Sequence, residues 1–362
     1  MEQKWYIYIK YNFSERIFPL YAVLFVILLL NNGLVGGAVM PLKDRVLAVL
    51  EENKGKSVSG SEIARNVGMT RSAVWKAVKQ LREEGYSICA VTNKGYCLSE
   101  ESDFLSEQAI VPNLRTKAIG RKIDVFKTID STNSFAKSLA QLGAEHGTTV
   151  ISEVQTQGRG RMGRSFYSPL GMGIYMSVII RPKLSVEHSL LITSCAAVAV
   201  AEAIEKVAGM ECKIKWVNDI YSGNKKLCGI LTEASVNVEQ GGLEYAIVGI
   251  GLNVQNVSFP KNVSDIATSI KLETDENVSR SLLTAEILNC LEERLDNIMD
   301  KDFINEYRKR SNIIGKRIEV TQGENISHVK CVNIDEFGRL LVRNDNGEER
   351  ALSSGTIRVI AD

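Results

Sequence analysis

The sequence predicts an α+β protein with three parts: an N-terminal winged helix-turn-helix, a central mixed β-sheet backed by helices, and a small C-terminal β-barrel. Residues 41–98 carry three helical patterns and a hairpin, residues 110–310 mix helices with strands, and residues 315–362 contain short strands separated by turns. With 44% hydrophobic and 24% charged residues, the composition is that of a globular protein. A net charge of +1 excludes an overall electrostatic preference for nucleic acid, so a DNA-binding role would depend on local arrangement.

Residues 1–39 form a hydrophobic extension that does not match the rest of the chain. No charge occurs from Ile17 to Leu42, which is long enough to span a bilayer, and three cations precede it, namely Lys4, Lys10 and Arg16. Three interpretations stay open: a membrane anchor, an export signal, or translated upstream sequence with the true start at Met40. Because every recognisable domain begins directly after Met40, we favour the third and expect a cytoplasmic protein.

The first two helices of the winged helix-turn-helix are defined by an apolar face and a cap. Val46, Val49 and Leu50 place one apolar face on the first helix. Residues 59–62 have the pattern of a capping box, which opens the second helix, and Gly68 ends it.

The third helix is the candidate DNA-reading helix. Apolar residues repeat along one side of it, and the other side is polar and basic, so we expect it to enter the major groove. The candidate DNA contacts are Thr70, Arg71, Ser72, Trp75 and Lys76. Residues 88–98 predict two strands joined by a tight turn at 93–95, which would be the wing. A vestigial or protein-binding winged helix is the alternative.

Residues 99–310 begin with a polar, acidic segment, 99–108, which we interpret as a linker. The central part then predicts strands at 173–181, 213–216, 229–232 and 245–253. It also predicts a buried helix at 185–207 and an amphipathic helix at 282–299. Beyond residue 315, turns at 322–323, 336–338 and 345–347 separate short strands, which predicts the all-β unit.

Cysteine and histidine usage limits the chemistry. The seven cysteines are dispersed without paired C-x-x-C spacing, which favours reduced thiols in a cytosol over a disulfide framework or a zinc site. There are three histidines, so we expect neither a histidine-based metal site nor a histidine general base.

Residues 157–164 (QGRGRMGR) are the most informative stretch. Glycines let backbone N–H groups approach a ligand closely, and Arg159, Arg161 and Arg164 bring permanent positive charge to the same loop. This arrangement suits an anion with several oxygens, such as a nucleotide phosphate, although neither the P-loop nor the Rossmann pattern is present. A flexible basic segment that contacts nucleic acid is the alternative.

Three further patterns carry candidate ligand groups. Residues 213–219 (KIKWVND) end a strand and place Asn218 and Asp219 on the following loop, and Lys226 precedes an apolar strand, although a solvated lysine turn is the commoner outcome. Residues 130–134 (DSTNS) have the spacing of a helix N-cap cluster, which could also bind a small polar ligand. Residues 249–253 (GIGLN) put two glycines in a strand, which weakens it unless something must approach closely.

The order and spacing of these motifs resemble the biotin–protein ligase family, and specifically its bifunctional class with an N-terminal winged helix that represses biotin-synthesis genes. The resemblance covers residues 41–362. It implies a class II synthetase-like catalytic domain over 110–310 and an SH3-like barrel over 315–362. It also implies ATP and biotin as substrates, Mg²⁺ accompanying ATP, and no further metal site.

The resemblance also implies roles for the matching residues. Lys226 and Arg161 would be the catalytic residues. The residues at the biotin would be Ser131, Thr132, Asn133, Gln155, Arg159, Gly160, Arg161, Lys226, Gly229, Gly249 and Gly251. Those at the ATP would be Arg159, Arg161, Arg164, Asn218, Asp219 and Asn253.

The implied partners are a biotin carboxyl carrier protein, operator DNA and a second copy of the chain. Residues 40–100 hold ten Lys/Arg against seven Asp/Glu, a local excess of three, so useful DNA affinity would need two copies. A lipoate–protein ligase and a biotin-sensing repressor without ligase activity are the rival functions.

Three positions depart from the family pattern. Val217 stands where proline is usual, and Phe166-Tyr167 stand where a tryptophan often follows the arginine loop, so one of these rings would stack on adenine. The C-terminal arginine is displaced to Arg358, which we leave out of the site.

Overall fold

In the computed structural model of the protein, residues 40–237 and 241–360 are described, and the extension predicted over residues 1–39 lies outside them. The first part is the predicted winged helix-turn-helix, and it consists of α1 (Leu42–Glu52), β1 (Ser57–Val58), α2 (Gly60–Asn66), α3 (Arg71–Glu84), β2 (Ile88–Val91) and β3 (Gly95–Leu98). The three strands form a sheet in the order β1-β3-β2.

Local capping fixes the ends of these helices as the sequence predicts. The Ser59 hydroxyl accepts from the Glu62 N–H at 3.1 Å, and the Thr70 hydroxyl accepts from the Ala73 N–H at 3.2 Å. In the wing, Gly95 has φ +106°, and a Cβ there would stand 2.1 Å from the Val58 carbonyl oxygen. Only glycine fits this position, because strand β1 approaches so closely.

The central part contains a seven-stranded mixed sheet, also as predicted. Its strands are β4 (Ile123–Phe126), β5 (Thr149–Ser152), β6 (Gly173–Ile180), β7 (Lys213–Lys215), β8 (Asp219–Ser222), β9 (Lys225–Asn237) and β10 (Gly242–Asn253). They lie in the order β4-β5-β6-β10-β9-β8-β7. Only the β4–β5 pair is parallel among the described pairs.

Helices cover both faces of this sheet. They are α4 (Glu107–Ile110), α5 (Thr132–Gln141), α6 (Ser189–Ala208), α7 (Ile270–Thr274), α8 (Arg280–Asp296) and α9 (Asp302–Arg310). Successive strand residues point to opposite faces, so Ile179 and Ile247 pack against α5 while Val178 and Val248 belong to the larger core with α6 and α8. The N-terminus of α5 therefore lies over one face of the sheet, where it can build a site.

Helix α8 lies where the sequence predicts a helix, but it has no solvent-exposed face over most of its length. Its residues from Arg280 to Glu292 are buried with the exception of Leu282. Glu286 accepts from the Arg115 guanidinium at 2.6 Å, and Glu292 accepts from three successive backbone N–H groups, those of Lys117, Ala118 and Ile119. Glu286 and Glu292 of α8 thus bind the segment 115–119 instead of facing solvent.

The predicted linker, residues 99–108, is packed against the central part. Asp103 accepts from the Arg280 backbone N–H at 2.9 Å and from its Nε at 2.8 Å, and Arg280 also reaches Glu153 at 2.8 Å. Arg280 is only 1% exposed. The polar, acidic composition indicated a linker, and one of its carboxylates, that of Asp103, is used in an ion pair with the buried Arg280.

The C-terminal part is the predicted all-β unit. Five antiparallel strands form one sheet in the order β14-β13-β12-β11-β15: β11 (Arg317–Gln322), β12 (Asn325–Ile334), β13 (Leu340–Arg343), β14 (Glu349–Leu352) and β15 (Thr356–Val359). Its apolar side joins the main core, and the Trp216 indole donates to the Gly338 carbonyl at 2.8 Å.

Among residues 40–237 and 241–360, no helix combines the length and apolar character needed to cross a membrane.

Candidate active site

A small polar cavity lies between the N-terminus of α5 and the sheet. Ser131 caps α5 and accepts from the Ser134 N–H at 3.5 Å, which leaves the buried Thr132 and Asn133 at the start of the helix. Gln155 follows β5 and accepts from the Thr132 N–H at 2.9 Å. The cavity has a volume of about 30 Å³, and its lining includes Ser131, Thr132, Asn133, Gln155, Arg159, Gly229, Gly249 and Gly251.

The Asn133 side chain is held by groups on two strands, β6 and β9. Its amide donates to Glu233 at 2.9 Å, and its oxygen accepts from the Ser177 hydroxyl at 2.6 Å. Ser177 stands opposite Gly249 across the β6–β10 pair, and a Cβ on Gly249 would lie 2.0 Å from the Asn133 oxygen. A side chain at position 249 would clash with the Asn133 amide, so glycine is required there. The amide is thereby fixed at the cavity wall, where it presents both a donor and an acceptor.

Phe166 fills the space beside this polar cluster. A Cβ on Gly251 would stand 2.7 Å from its ring, and one on Gly229 would stand 3.6 Å away. The two glycines face each other across the β9–β10 pair and together form a bare floor for the ring. We expected Phe166 or Tyr167 to stack on adenine. Phe166 lies over the two glycines and Tyr167 is 44% exposed, and both rings line the larger cavity described below, so the stacking stays a prediction.

The arginine loop folds back on itself as a tight hairpin. The Phe166 N–H donates to the Gly158 carbonyl at 2.8 Å, and the Gly160 N–H donates to the Arg164 carbonyl at 2.7 Å. Arg159 reaches the Ser134 hydroxyl at 3.4 Å, near the small cavity. Arg161 points the other way and donates to Asn218 at 3.0 Å and to the Gly355 carbonyl at 3.3 Å. The loop therefore spans both cavities.

A larger cavity of about 660 Å³ adjoins the first. It is lined by Arg159, Gly160, Arg161, Arg164, Asn218, Asp219, Lys226, Gly229 and Asn253, and also by residues outside our predicted set. The Lys226 ammonium lies 2.6 Å from the Asp219 carboxylate. The Asn218 amide donates to the Ile230 carbonyl at 2.6 Å and the Asn253 amide donates to the Thr268 carbonyl at 3.0 Å, so both amides also order their own loops.

The larger cavity has an excess of positive charge. Its described lining holds five cationic side chains against a single carboxylate, Asp219: Arg159, Arg161, Arg164, Lys215 and Lys226. Desolvation lowers the pKa of Lys215, and the nearby Lys226 and Arg164 lower it further, against the opposing effect of Asp219. Desolvation and Asp219 raise the pKa of Tyr221 to about 12. The excess of four positive charges in the described lining, and not these two pKa shifts, favours a bound polyanion.

All predicted biotin and ATP residues line one of these two cavities, and Arg159, Phe166, Gly229 and Leu231 line both. The arginine loop and the Lys226 ammonium face the same larger cavity. Arg358 is exposed, and the cavity instead uses its neighbours from Gly355 to Ile357. At the other position that departs from the family pattern, the Trp216–Val217 peptide bond is cis.

Sequence reasoning missed several residues at the site. Lys215 lies within the 213–219 motif, but no role was assigned to it. It shares a strand face with Lys213, opposite the buried Ile214, so alternation alone does not distinguish the two lysines. Ser177 and Glu233 lie in strands without a local motif. The segments 259–267 and 355–357 reach the cavity only through the tertiary fold.

The DNA-reading surface predicted on α3 is exposed. The side chains of Thr70, Arg71, Ser72, Trp75 and Lys76 all face solvent, while Val74, Ala77, Val78 and Leu81 are buried behind them. Trp75 is 54% exposed, and the Lys79 ammonium lies 5.9 Å from its ring centre. These side chains are therefore accessible to a partner, and their contact with DNA stays a prediction.

Comparison with known proteins agrees with this geometry. The sequence profile of the biotin/lipoate A/B protein ligase family matches residues 125–253, an HTH domain profile matches 43–97, and the biotin protein ligase C-terminal domain profile matches 313–359. The bifunctional ligase/repressor BirA of Bacillus subtilis is 35% identical over 318 residues, which cover 86% of this chain and 97% of that protein. BirA of Escherichia coli is 28% identical and covers 84% of this chain.

Solved structures give the same result for the fold. The biotin protein ligase from Aquifex aeolicus, solved in complex with biotin and ATP, is 26% identical, covers 67% of this chain and all of that chain, and superimposes with a TM-score of 0.58. That structure corresponds in extent to the catalytic and C-terminal parts, whereas the Bacillus relative also spans the winged helix. The chain therefore belongs to the family of bifunctional biotin–protein ligases and biotin operon repressors.

Proposed function

We propose that the protein adenylates biotin with ATP and transfers the biotinyl group to a lysine of a biotin carboxyl carrier protein. The observation that carries this proposal is the pairing of a small polar cavity with a cationic one, spanned by a single arginine loop. The first offers hydrogen-bonding groups at fixed positions for a compact polar ring, and the second offers charge for phosphates.

The proposed reaction has two steps. The biotin carboxylate attacks the α-phosphorus of ATP, pyrophosphate leaves, and biotinyl-adenylate remains. The carrier lysine amine then attacks the acyl carbon, and AMP leaves. Lys226 and Arg161 would stabilise charge that is greatest around the phosphorus in the transition state, so they would raise the rate of adenylation.

The remaining residues would bind and orient the two substrates. Ser131, Thr132, Asn133 and Gln155 would hold the ureido ring, and Gly229, Gly249 and Gly251 would admit biotin through their bare backbones. Arg159, Arg164, Asn218, Asp219 and Asn253 would surround the nucleotide. Mg²⁺ would bind together with ATP, since magnesium sites on nucleotides use few protein ligands. Asp219 would be its candidate protein ligand, because it is the one carboxylate in the described lining of the larger cavity.

The arginine loop would protect the mixed anhydride until the carrier docks. Gly160 and Arg161 hold the loop against Arg164, Asn218 and the C-terminal part, so the loop would close over the adenylate and exclude water.

One experiment tests the enzymatic proposal against its rivals. A purified carrier domain is incubated with the protein, ATP and either biotin or lipoate, and its mass is measured. We expect the biotinyl mass increment alone. A lipoyl increment would identify a lipoate–protein ligase, and no increment with either acid would leave a biotin-sensing repressor without ligase activity.

We propose that the winged helix represses biotin genes by placing α3 in the major groove of operator DNA. The exposure of Arg71, Trp75 and Lys76 on one face of α3 supports this role. A gel shift with a biotin-operon fragment should show binding that strengthens when biotin and ATP are both present. DNA binding of the same strength with and without biotin and ATP would contradict a coupling between ligand binding and repression. No DNA binding at all would favour a protein-interaction module.

We further propose that the cytoplasmic, adenylate-bound form is a homodimer. Strand β9 pairs with β8 only as far as Gly229, so from Leu231 to Val236 its described pairing is to β10 alone. Val236 is 44% exposed on this stretch. Pairing two such edges would extend the sheet. Val236→Lys should keep the protein monomeric in sedimentation with biotin and ATP, while wild type dimerises; a monomeric wild type would contradict the proposal.

A further inference from the structure

Two cysteines face each other across the wing. Cys89 on β2 stands directly opposite Cys97 on β3 in the antiparallel register. Their neighbours Ile88 and Leu98 are buried in the core of the winged helix, so the alternation of strand residues turns both thiols to the outer face of the hairpin. Cys89 is exposed and Cys97 is partly exposed.

The strand geometry allows a bond between these two sulfurs. The Ser99 N–H donates to the Ser87 carbonyl two residues further along, so the regular alternation makes Cys89 and Cys97 a hydrogen-bonded pair. The Cα atoms of such pairs are about 5.5 Å apart, within the range of roughly 4.4–6.8 Å found for disulfides. Desolvation raises the pKa of Cys97, and the adjoining Cys89 raises it further.

The other five cysteines are sequestered. Cys195, Cys212, Cys228, Cys290 and Cys331 are all buried. Burial raises the pKa of Cys212 and of Cys331 to about 12, so these thiols carry almost no thiolate at neutral pH. Reaction with an external reagent is therefore confined to the wing among the described residues.

We propose that Cys89 and Cys97 form a redox modification site that closes to a reversible intramolecular disulfide by exchange with a low-molecular-weight disulfide. The Cys89 thiolate attacks one sulfur of the small disulfide, a mixed disulfide forms, and one small thiolate leaves. The Cys97 thiolate then attacks Cys89 Sγ and expels the second small thiolate. The protein loses two hydrogens, and one small disulfide becomes two small thiols.

The proposed Cys89–Cys97 disulfide should be easily reduced. Cβ atoms opposite each other on antiparallel strands are about 4.5–5.5 Å apart, whereas a disulfide prefers roughly 3.8 Å, so closure draws the strands together. A strained, exposed disulfide is the kind that ordinary cellular thiols reopen. Reduction with a small dithiol should therefore restore both thiols.

The test uses the full-length reduced protein and oxidised glutathione, followed by peptide mapping under non-reducing conditions. We expect one cross-linked peptide pair containing Cys89 and Cys97, with no stable glutathione adduct. In Cys97→Ser the reaction should stop at a glutathione adduct on Cys89, and Cys331→Ser, which alters a buried thiol, should behave as wild type. Persistent glutathione adducts on wild-type Cys89 without a cross-link, or a cross-link to another cysteine, would overturn the proposal.

Discussion

Lys226 is bound to Asp219 on one side of the larger cavity, and this contact gives a sharp test of its role. The ammonium lines the larger, cationic cavity and not the small cavity beside the buried Asn133 cluster. Lys226→Ala should therefore lower adenylation by about 10²–10³-fold, the usual effect of removing one charge-stabilising donor, with little change in biotin affinity.

Lys225→Ala is a matched control, because Lys225 is the adjacent exposed lysine and does not line either cavity. Isothermal titration gives the biotin affinity, and pyrophosphate release gives the turnover. Loss of biotin binding in Lys226→Ala with the control unaffected would assign Lys226 to substrate binding and not to chemistry.

The glycine floor under Phe166 predicts a second residue-level effect. In Gly251→Ala the new methyl group would stand 2.7 Å from the ring and push it toward the polar cavity. We expect the KM for biotin to rise by at least about tenfold, equivalent to about 1.4 kcal/mol, with a smaller effect on the KM for ATP.

The control for this substitution is Gly60→Ala in the winged helix, where the new Cβ would make an ordinary contact of 3.5 Å with Tyr96. Unchanged biotin kinetics in Gly251→Ala would mean that the Phe166 ring moves away without cost, and the glycine would then not shape the pocket.

At the scale of elements, the most informative misprediction is helix α8. Its sequence intersperses polar residues such as Glu286, Asn289 and Glu292 among apolar ones, and this spacing led to the amphipathic interpretation. The helix sequence gives no information about the segment 115–119, which packs against the helix. Backbone N–H groups of this segment donate to the Glu292 carboxylate and are satisfied by it. Whether a carboxylate of the helix is solvated or buried therefore depends on partners that are distant in the sequence, and the local pattern does not reveal them.

The Glu292 carboxylate predicts a pH-dependent contribution to stability. Burial opposes its charge, but the three backbone donors outweigh that effect and lower its pKa below the ordinary value of 4.5. A carboxylate with a lowered folded pKa stabilises the protein above the ordinary pKa, and this stabilisation is lost as the pH falls through the lower, folded value. Glu292→Gln should lower the free energy of unfolding at neutral pH by about 1–3 kcal/mol.

Urea denaturation at neutral and acidic pH measures this effect, and Glu293→Gln, at the exposed neighbouring position, is the control. The difference between wild type and Glu292→Gln should shrink in acid. If the difference in unfolding free energy did not depend on pH, the packing of the Glu292 side chain and not its charge would account for the stabilisation.

Local signals predicted several of the other elements. Hydrophobic periodicity placed α3 and β10, a cap predicted the start of α2, and positive-φ residues predicted the turn of the wing. The candidate site residues were found because motifs hold them together in sequence. Ser177, Glu233 and segment 355–357 have no such motif, since each is brought to the site only by strand pairing or packing.

At the scale of the molecule, the DNA-binding and catalytic parts are joined by a packed segment. Asp103, in residues 99–108, is bound by Arg280, whose guanidinium also contacts Glu153 and the Gly173 carbonyl. Glu153 is two residues from Gln155 at the polar cavity, so one buried cation connects the segment to the strand ends that carry the site.

This connection predicts that Asp103→Ala loosens the junction and leaves catalysis intact. Arg280 keeps Glu153 as its partner in this variant, so the central core retains its main ion pair, while residues 99–106 lose two hydrogen bonds. Limited proteolysis should cleave this segment at least about tenfold faster, as local opening becomes easier by about 1–2 kcal/mol. Glu101→Ala, at an exposed position, is the control. Equal cleavage rates would show that other contacts hold the junction.

The contribution of Gly355 to Ile357 to the larger cavity has a consequence for synthesis of the protein on the ribosome. These residues follow every other lining residue in the chain, and one of their carbonyls anchors Arg161. A nascent chain can fold its DNA-binding unit long before this wall exists, so during translation the capacity to contact DNA arises first and the complete nucleotide pocket arises last.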